Sequence, residues 1–278
     1  MKDQSIRKPA VAGAFYPADP SQLRKEIQQY LKAASPPVKP EHVIGLISPH
    51  AGYAYSGPAA AYGYKLLIGK SYKRVIVFAL SHRVPFRGAS IFGGAGYETP
   101  LGMVPVDGEL VERIRQASSF ITYNALADQE EHSLEVQLPF LQEVLGSFRL
   151  IPVLIRDQTL STCQKVVDAI LKVFPENEKN ETLIVGSTDL YHGPSSTECQ
   201  MQDQLLADTV KEFDEKKFEA MMNQGEIMAC GPASIMAAML LSRNFGAKTI
   251  DILHLTNSAL VTGYASDYVV GYLSAVLY

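Results

Sequence analysis

Three stretches of the chain combine an apolar run, a serine and then a side chain that can bind a metal or transfer a proton. They are residues 43–50, 75–82 and 182–192. Each is predicted to be a buried strand that carries this side chain where it leaves the sheet. Ligands bind in open α/β sheets outside the carboxyl ends of the strands. If the three strands are neighbours, these side chains converge on one site. They are His50, His82, Asp189 and His192.

His50 and His82 occupy equivalent positions, directly after their strands. Neutral imidazole is the commonest protein ligand of catalytic metals, so two such rings at adjacent strand ends predict half of a coordination sphere. Taken singly, each is better explained as a loop histidine with local hydrogen bonds. Their parallel placement favours the metal.

Cys230 precedes Gly231-Pro232 and an apolar helix. The positive end of a helix dipole lowers the pKa of a thiol and favours the thiolate, which binds metals and attacks electrophiles. The alternative is a small buried residue in a tight turn. Cys163 and Cys199 fall within predicted helices and are expected to be inert, reduced thiols.

Asp189 and His192 lie in one predicted turn. A carboxylate beside an imidazole can orient the ring and help it to move a proton. The alternative is that Asp189 caps backbone N–H groups, and the two roles are compatible. Both residues are therefore candidate catalytic groups.

An acidic cluster surrounds His132 at a predicted helix start, and much of it is expected to cap the helix. Its members are Glu130, Glu131 and Glu135. Because His132 and Glu135 are three residues apart, they would share a helix face, and Glu135 could turn the ring toward a cleft. His132 is a third catalytic candidate.

Composition limits the class of protein. The 278 residues are 47% hydrophobic and 19% charged, with a formal net charge of −4, which is typical of a globular chain with a large core. Without a basic stripe, nucleic-acid binding is not expected. No apolar run is long enough for a membrane helix and no signal peptide is evident, so a soluble cytoplasmic protein is predicted.

Apolar strands alternate with helices along the chain, which predicts an α/β fold with a mostly parallel or mixed central sheet flanked by helices, in one domain spanning residues 1–278. Strands are predicted at 43–48, 74–80, 149–155, 182–188, 249–255 and 268–277, with short pieces at 89–92 and 103–106. Helices are predicted from Asp19-Pro20 and at 59–68, 107–118, 128–141 and 160–174, with two or three more between 195 and 245. Pro139 predicts a kink. Residues 51–58 are expected to be a loop in which Tyr53 and Tyr55 line a pocket or pack. His42 and His254 are expected to be structural.

Several motifs, in this order along the chain, resemble the Memo family (mediator of cell motility) and its bacterial and archaeal relatives. These relatives are similar to the B component of the AMMECR–Memo–radical-SAM group. The matching segments are 7–17, 48–53, 81–82, 131–141, 187–192 and 230–231.

The resemblance implies a fold like that of class III extradiol dioxygenases, which cleave catecholic rings with non-haem Fe(II). It also implies that His50, His82 and Cys230 bind the metal, with Asp189 and His192 beside them, and it suggests AMMECR-type and radical-SAM proteins as partners. Fe(II) is the expected ion, with copper or zinc as alternatives. The dioxygenases use a carboxylate where this chain has Cys230, and the softer thiolate shifts the preference toward Cu(I) or zinc, or changes the redox poise of iron.

Three functions are compatible with this site. The first is a metal-dependent redox enzyme acting on an unknown small substrate. The second is a non-catalytic module that binds a peptide or small ligand, or handles metal. The third is a metal-free thiol hydrolase or transferase with Cys230 as nucleophile and His192 or His132 as base, which leaves the placement of His50 and His82 unexplained.

Overall fold

Two sheets organise the computed structural model, which describes residues 4–264 and 267–278. The strands are β1 (Ile6–Arg7), β2 (Gly45–Ser48), β3 (Arg74–Leu80), β4 (Ala89–Ile91), β5 (Gly96–Thr99), β6 (Gly102–Pro105), β7 (Ile121–Thr122), β8 (Arg149–Ile155), β9 (Thr182–Ser187), β10 (His192–Gly193), β11 (Ile250–Asn257) and β12 (Val269–Leu277). The helices are α1 (Pro20–Ala33), α2 (Tyr53–Lys65), α3 (Gly108–Ala117), α4 (Ala125–Gln129), α5 (Gln137–Leu145), α6 (Leu160–Val173), α7 (Ser196–Lys211), α8 (Glu215–Gln224), α9 (Pro232–Asn244) and α10 (Ser258–Thr262), with a 3₁₀ helix at Glu176–Glu181.

The larger sheet has the strand order β10-β12-β2-β9-β3-β8-β4-β7, and β11 pairs with β12. Its centre, β2-β9-β3-β8, is parallel, while β12 and β4 pair antiparallel with β2 and β8. The strands that precede His50, His82 and Asp189 are thus neighbours. Ser48 lies opposite Ser187, and Phe78 lies opposite Gly186, so the strand ends meet at one edge.

Alternate residues of the central strands enter two different cores, one on each face of the sheet. On β3, Val75 and Val77 pack in a core with α1, α2 and α5. Ile76 and Phe78 pack in a second core with α3, α6 and α9. Helices therefore cover both faces, and the predicted single-domain α/β fold with a mixed central sheet is confirmed. The boundary at 1–278 stays a prediction, and residues 1–3 and 265–266 lie outside the described residues.

Helix α2 begins at Tyr53, so the predicted loop at 51–58 is wrong over most of its length. Gly57, which favours a turn in the sequence, instead allows a close approach to α1. A Cβ atom at this position would lie 2.7 Å from the Tyr30 ring. Tyr53 is fully buried, and its hydroxyl donates to the carbonyl of Val136 at 2.7 Å. Tertiary contacts therefore override the local turn signal.

The predicted continuous helix at 128–141 is also wrong, because α4 and α5 are separated by residues 130–136. Pro139 lies in the first turn of α5, where a missing N–H costs little, and it is not the point of interruption. The interruption comes earlier, where the Glu131 carboxylate accepts hydrogen bonds from the backbone of His82 and Ser133. This irregular segment is the part of the chain that approaches the strand ends.

Other predicted elements agree closely with the structure. Helix α1 begins at Pro20, and the Asp19 side chain accepts from the backbone of Gln22 as its N-cap. Three helices lie between 195 and 245. The small sheet β1-β5-β6 was not predicted. Among the described residues, no helix has the length and apolar character that crossing a membrane requires.

Candidate metal centre

Two imidazoles and a thiol meet at the carboxyl ends of β2, β3 and β9. The ligand atoms of His50, His82 and Cys230 all lie within 4.8 Å of one another. The His50 and His82 ring centroids are 5.4 Å apart, and Nε2 of His50 lies 3.2 Å from Sγ of Cys230. The three residues come from distant parts of the chain, so only the fold brings them together.

The hydrogen bonds around His50 determine which nitrogen faces the thiol. Its Nδ1 lies 2.9 Å from Oγ of Ser187. The Ser187 hydroxyl donates to the carbonyl of Ser133 at 2.6 Å and accepts from Nε2 of Gln137 at 2.7 Å. Because the serine proton is already used, Nδ1 of His50 must donate, and its Nε2 carries the lone pair that points toward Cys230. Burial, followed by the nearby His132 and His82, holds the pKa of His50 well below its ordinary value.

Glu131 holds His82 in the same way. Its Oε1 accepts from Nδ1 of His82 at 2.8 Å, and its Oε2 accepts from the His82 backbone at 2.6 Å. Burial opposes ionisation of this carboxylate, but the hydrogen bonds from the His82 ring and backbone and from Ser133 hold its pKa down at about 2. Because Nδ1 of His82 donates to Glu131, the lone pair on Nε2 is left to bind a metal.

Cys230 is positioned by the turn that follows β9 and by the close packing of that strand on α9. The backbone N–H of Asp189 donates to Sγ of Cys230 at 3.1 Å, and the Cys230 N–H donates to the Asp189 carbonyl at 3.0 Å. A Cβ atom at Gly186 would lie 2.8 Å from the carbonyl of Ser234, so only glycine lets β9 approach α9 this closely.

The predicted lowering of the Cys230 pKa by the helix dipole is wrong for the free thiol. Burial, followed by the nearby Asp189, raises the pKa of Cys230. Desolvation of the thiolate outweighs the dipole at this position. A bound cation reverses this balance, because a coordinating thiol is deprotonated.

Asp189 is buried and contacts both His50 and Cys230. Its Oδ1 accepts from the His50 backbone N–H at 2.7 Å, so the structure supports the capping role and not a contact with the His192 ring. Burial raises the pKa of Asp189 to about 7, although hydrogen bonds from the backbones of His50 and Ala51 lower it. Asp189 thus joins the loop of His50 to the turn that holds Cys230.

His192 lies in β10, opposite Val270 of β12. Its Nδ1 lies 2.9 Å from the carbonyl of Leu190 and must donate to it, which leaves Nε2 as a proton acceptor. Burial lowers the pKa of His192, which keeps the ring neutral at physiological pH. A neutral ring with a free Nε2 is the form that a general base requires.

His132 stacks on His82, with ring centroids 4.5 Å apart and an interplanar angle of 18°, and lies 5.5 Å from the His50 ring. Burial lowers its pKa to about 4. The predicted partner Glu135 does not contact it, because the helical spacing on which that pairing depended is absent at 130–136. The carboxylate beside His132 is Glu131, at 3.5 Å from its Nδ1.

Glu135 instead anchors the amino-terminal segment. It forms a buried ion pair with Arg7 and accepts from the backbones of Ala10 and Val11 and from the hydroxyl of Tyr16. Two of the segments that carry the family resemblance, 7–17 and 131–141, therefore bind each other. Their contact fixes the irregular segment next to the centre.

The remaining candidates lie away from the centre. His42 is exposed before β2, and His254 stacks on Tyr62 at 4.2 Å. Cys163 and Cys199 are buried within α6 and α7, as predicted. Tyr53 packs in the core, whereas Tyr55 lines a cleft of about 580 Å³ that begins at Ala51, next to His50. Other aromatic residues of this cleft are Tyr264, Tyr268 and Tyr272.

Sequence reasoning missed the groups that orient the ligands. Ser187 was noted only as the end of a strand, Gln137 only as part of a helix, and Glu131 only as a helix cap. One signal was present: a serine ends each of the three strands. Of these, Ser187 holds His50, and its position opposite Ser48 follows only from the strand register.

The donor set fits a transition metal. Imidazole nitrogens and a thiolate suit zinc, copper and iron, and bonds of about 2.0–2.3 Å place neighbouring ligand atoms about 3–4 Å apart. The 3.2 Å separation of His50 and Cys230 lies in this range. Both imidazoles donate Nδ1–H to a hydrogen-bond acceptor, which is the usual arrangement of metal-binding histidines.

Comparison with known proteins gives consistent matches along nearly the whole chain. A family described as Memo-like protein matches residues 7–276. A MEMO1 family protein of Nitrosopumilus maritimus is 35% identical over 272 residues, covering 96% of this chain and 98% of that protein. MEMO1 family proteins of Thermotoga neapolitana and Methanobrevibacter smithii are 34% and 33% identical, and each alignment covers 98% of this chain and 99% of the relative.

Proposed function

The chain belongs to the Memo-like family, and on this basis we propose that it binds a redox-active transition metal through His50, His82 and Cys230 and acts as a dioxygenase-like oxidoreductase. Fe(II) is the proposed ion, with copper or zinc as alternatives, and the substrate is a small molecule. The single observation that carries the proposal is the meeting of these three ligand atoms within 4.8 Å of one another.

The ligand orientation supports metal binding over a chance cluster. Ser187 and Glu131 each accept the Nδ1 proton of one imidazole, and this leaves the Nε2 lone pairs for an ion. The buried backbone N–H of Asp189 already points at the sulfur of Cys230, where it stabilises a thiolate. These groups hold the ligand atoms in a geometry suited to an ion.

When bound, the metal supplies Lewis-acid and redox chemistry for O₂ or a substrate oxygen. The protein's own contribution is to position groups and move protons. His192 presents Nε2 as the base, and its Nδ1–H bond to Leu190 fixes the ring. Asp189 holds the His50 loop and His132 covers His82.

The tyrosine-lined cleft that includes Ala51, the residue after His50, offers space for a substrate. The cleft is bordered by Val270, whose strand partner is His192. A small, largely apolar substrate fits this lining. AMMECR-type and radical-SAM partner proteins remain proposals that rest on the family resemblance alone.

Metal analysis tests the assignment. Protein purified without added metal is titrated anaerobically with Fe(II), beside the variants Cys230→Ala and His82→Ala. We expect both variants to lose stoichiometric iron while keeping the wild-type circular dichroism spectrum. His42→Ala is the matched control, because His42 is exposed and away from the centre, and it should bind iron normally. Unchanged iron content in both ligand variants would exclude this site.

A non-catalytic binding module is the second candidate, and the tyrosine-lined cleft favours it, since the cleft can bind an apolar ligand without any metal chemistry. Iron-loaded protein that consumes no oxygen with a panel of catechols, yet binds a ligand in the cleft, would support it. The thiol-hydrolase alternative is disfavoured because burial raises the pKa of Cys230, and a nucleophilic cysteine needs the opposite shift.

A further inference from the structure

A second group of donors lies on the other edge of the His82 ring. The group consists of His82, Glu131 and His132, whose ligand atoms also lie within 4.8 Å of one another. We propose that these residues bind a second divalent transition-metal ion, so that the His82 ring bridges two ions. This inference rests on the proposed function, because His82 is shared between the two sites.

The donor distances suit a common ion. Oε1 of Glu131 lies 2.8 Å from Nδ1 of His82 and 3.5 Å from Nδ1 of His132. Two donors bound to one ion at about 2.0–2.1 Å are separated by about 3–3.5 Å. The two Nδ1 atoms thus approach the same carboxylate oxygen at separations that small side-chain shifts convert into coordination.

Orientation of His82 by Glu131 explains only part of this arrangement. It leaves His132 unexplained, because neither ring nitrogen of His132 makes a hydrogen bond to another residue in the described parts of the chain. The His132 side chain is only 19% exposed, and its ring is packed between Phe15 and His82. Its Nδ1 lies 3.5 Å from Oε1 of Glu131, longer than an ordinary hydrogen bond, and an ion between the two would bind both.

Charge also favours a cation beside Glu131. This carboxylate is 3% exposed, and within the described residues its ion-pair partners at 4.0 Å or less are imidazoles, not lysine or arginine. Hydrogen bonds from His82 and Ser133 already stabilise this carboxylate, and a cation would add the full positive charge that it lacks. The second ion replaces the Nδ1 proton of His82, which leaves to solvent. Two divalent ions carry four positive charges. The Cys230 thiolate, the Glu131 carboxylate and the bridging His82 imidazolate balance three of them.

An ion can reach this position from solvent. The His82 side chain is 31% exposed, whereas His50 is buried at 1%. The His132 side chain is 19% exposed, so two of the three donors of the second site are open to solvent.

Anaerobic titration of the full chain with Co(II) distinguishes the two sites. Cobalt bound to a thiolate shows an intense charge-transfer band, and cobalt bound only by nitrogen and oxygen does not. We expect two equivalents of Co(II) per chain, one with this band and one without. His132→Phe, which preserves the ring, and Glu131→Gln should bind one equivalent and retain the band. Cys230→Ser should lose the band and keep the nitrogen–oxygen site. His42→Gln is the matched control and should bind two equivalents, because His42 is exposed and belongs to neither donor set.

The outcomes separate the two claims. Saturation of the wild-type protein at one equivalent with the full band overturns the second site and leaves the proposed function intact. Two equivalents bound by His132→Phe also overturn it. Absence of the band from the wild-type protein overturns the proposed metal centre and, with it, the bridging role of His82.

Discussion

Oγ of Ser187 lies 2.9 Å from Nδ1 of His50, on the ring edge opposite the nitrogen that faces Cys230. The serine is held in turn by the carbonyl of Ser133 and the side chain of Gln137. A residue that never reaches the ion therefore fixes both the tautomer and the direction of a proposed ligand.

Ser187→Ala is expected to weaken metal binding by about 10- to 100-fold, because His50 loses the acceptor that keeps its proton on Nδ1. Competition with a chelator of known affinity measures the change. Ser274→Ala is the matched control, since Ser274 is a fully buried strand serine whose hydroxyl has no hydrogen-bond partner among the described residues. Equal affinities of the two variants would contradict the role given to Ser187.

Glu135→Ala is expected to destabilise the fold by about 3–5 kcal/mol, because it leaves the buried Arg7 guanidinium without its carboxylate. Urea unfolding of the metal-free protein measures the loss. Glu143→Ala removes an ion pair with Arg24, whose side chain is 53% exposed, and should cost at most about 1 kcal/mol. Similar costs for both changes would show that the Arg7–Glu135 contact is not the anchor of the amino-terminal segment.

The elements that local sequence predicted best are those buried on both faces. Strands β3 and β8 have the predicted bounds, because an uninterrupted apolar run between polar residues leaves little choice of register or length. The apolar runs of β2, β3 and β9 predicted where His50, His82 and Asp189 would lie, since parallel strands end at one edge of the sheet.

Prediction failed where tertiary contacts override local signals. Gly57 and Pro58 predict a turn, but they lie within α2, and Gly57 lets this helix pack closely against the Tyr30 ring. The spacing of apolar residues predicts a helix through 130–136. Instead, the carboxylates of Glu131 and Glu135 bind His82 and Arg7, which come from distant parts of the chain. The pairing of His132 with Glu131 instead of Glu135 follows from that lost helix, and no local pattern could have shown it.

Asp203→Asn is expected to remove a pH dependence of stability. Asp203 is a buried residue of α7. Burial raises its pKa from 3.8 to about 6, so the folded state binds more protons than the unfolded state between pH 3.8 and about pH 6. Stability contributed by the protonated form is complete below pH 3.8 and is lost as the pH rises through about 6. The asparagine variant should therefore be more stable than the wild type at pH 8, by up to about 3 kcal/mol.

Urea unfolding at pH 5 and pH 8 tests this expectation. Asp208→Asn is the control, because Asp208 is an exposed residue of the same helix, and it should follow the wild-type pH profile. A stability difference between Asp203→Asn and wild type that does not grow from pH 5 to pH 8 would contradict the predicted titration.

Asp189 offers a test of whether it transfers protons or positions the centre. Its carboxylate accepts from the backbone of His50, while its own backbone contacts Cys230 in both directions. Asparagine keeps one acceptor oxygen for the His50 N–H but cannot exchange a proton, whereas alanine removes the acceptor and leaves that buried N–H unpaired. If Asp189 positions the ligands, Asp189→Asn should retain most of the metal affinity and oxygen consumption, and Asp189→Ala should lose both. Loss of oxygen consumption in Asp189→Asn with unchanged metal affinity would instead assign the proton transfer to this carboxyl group and not to His192.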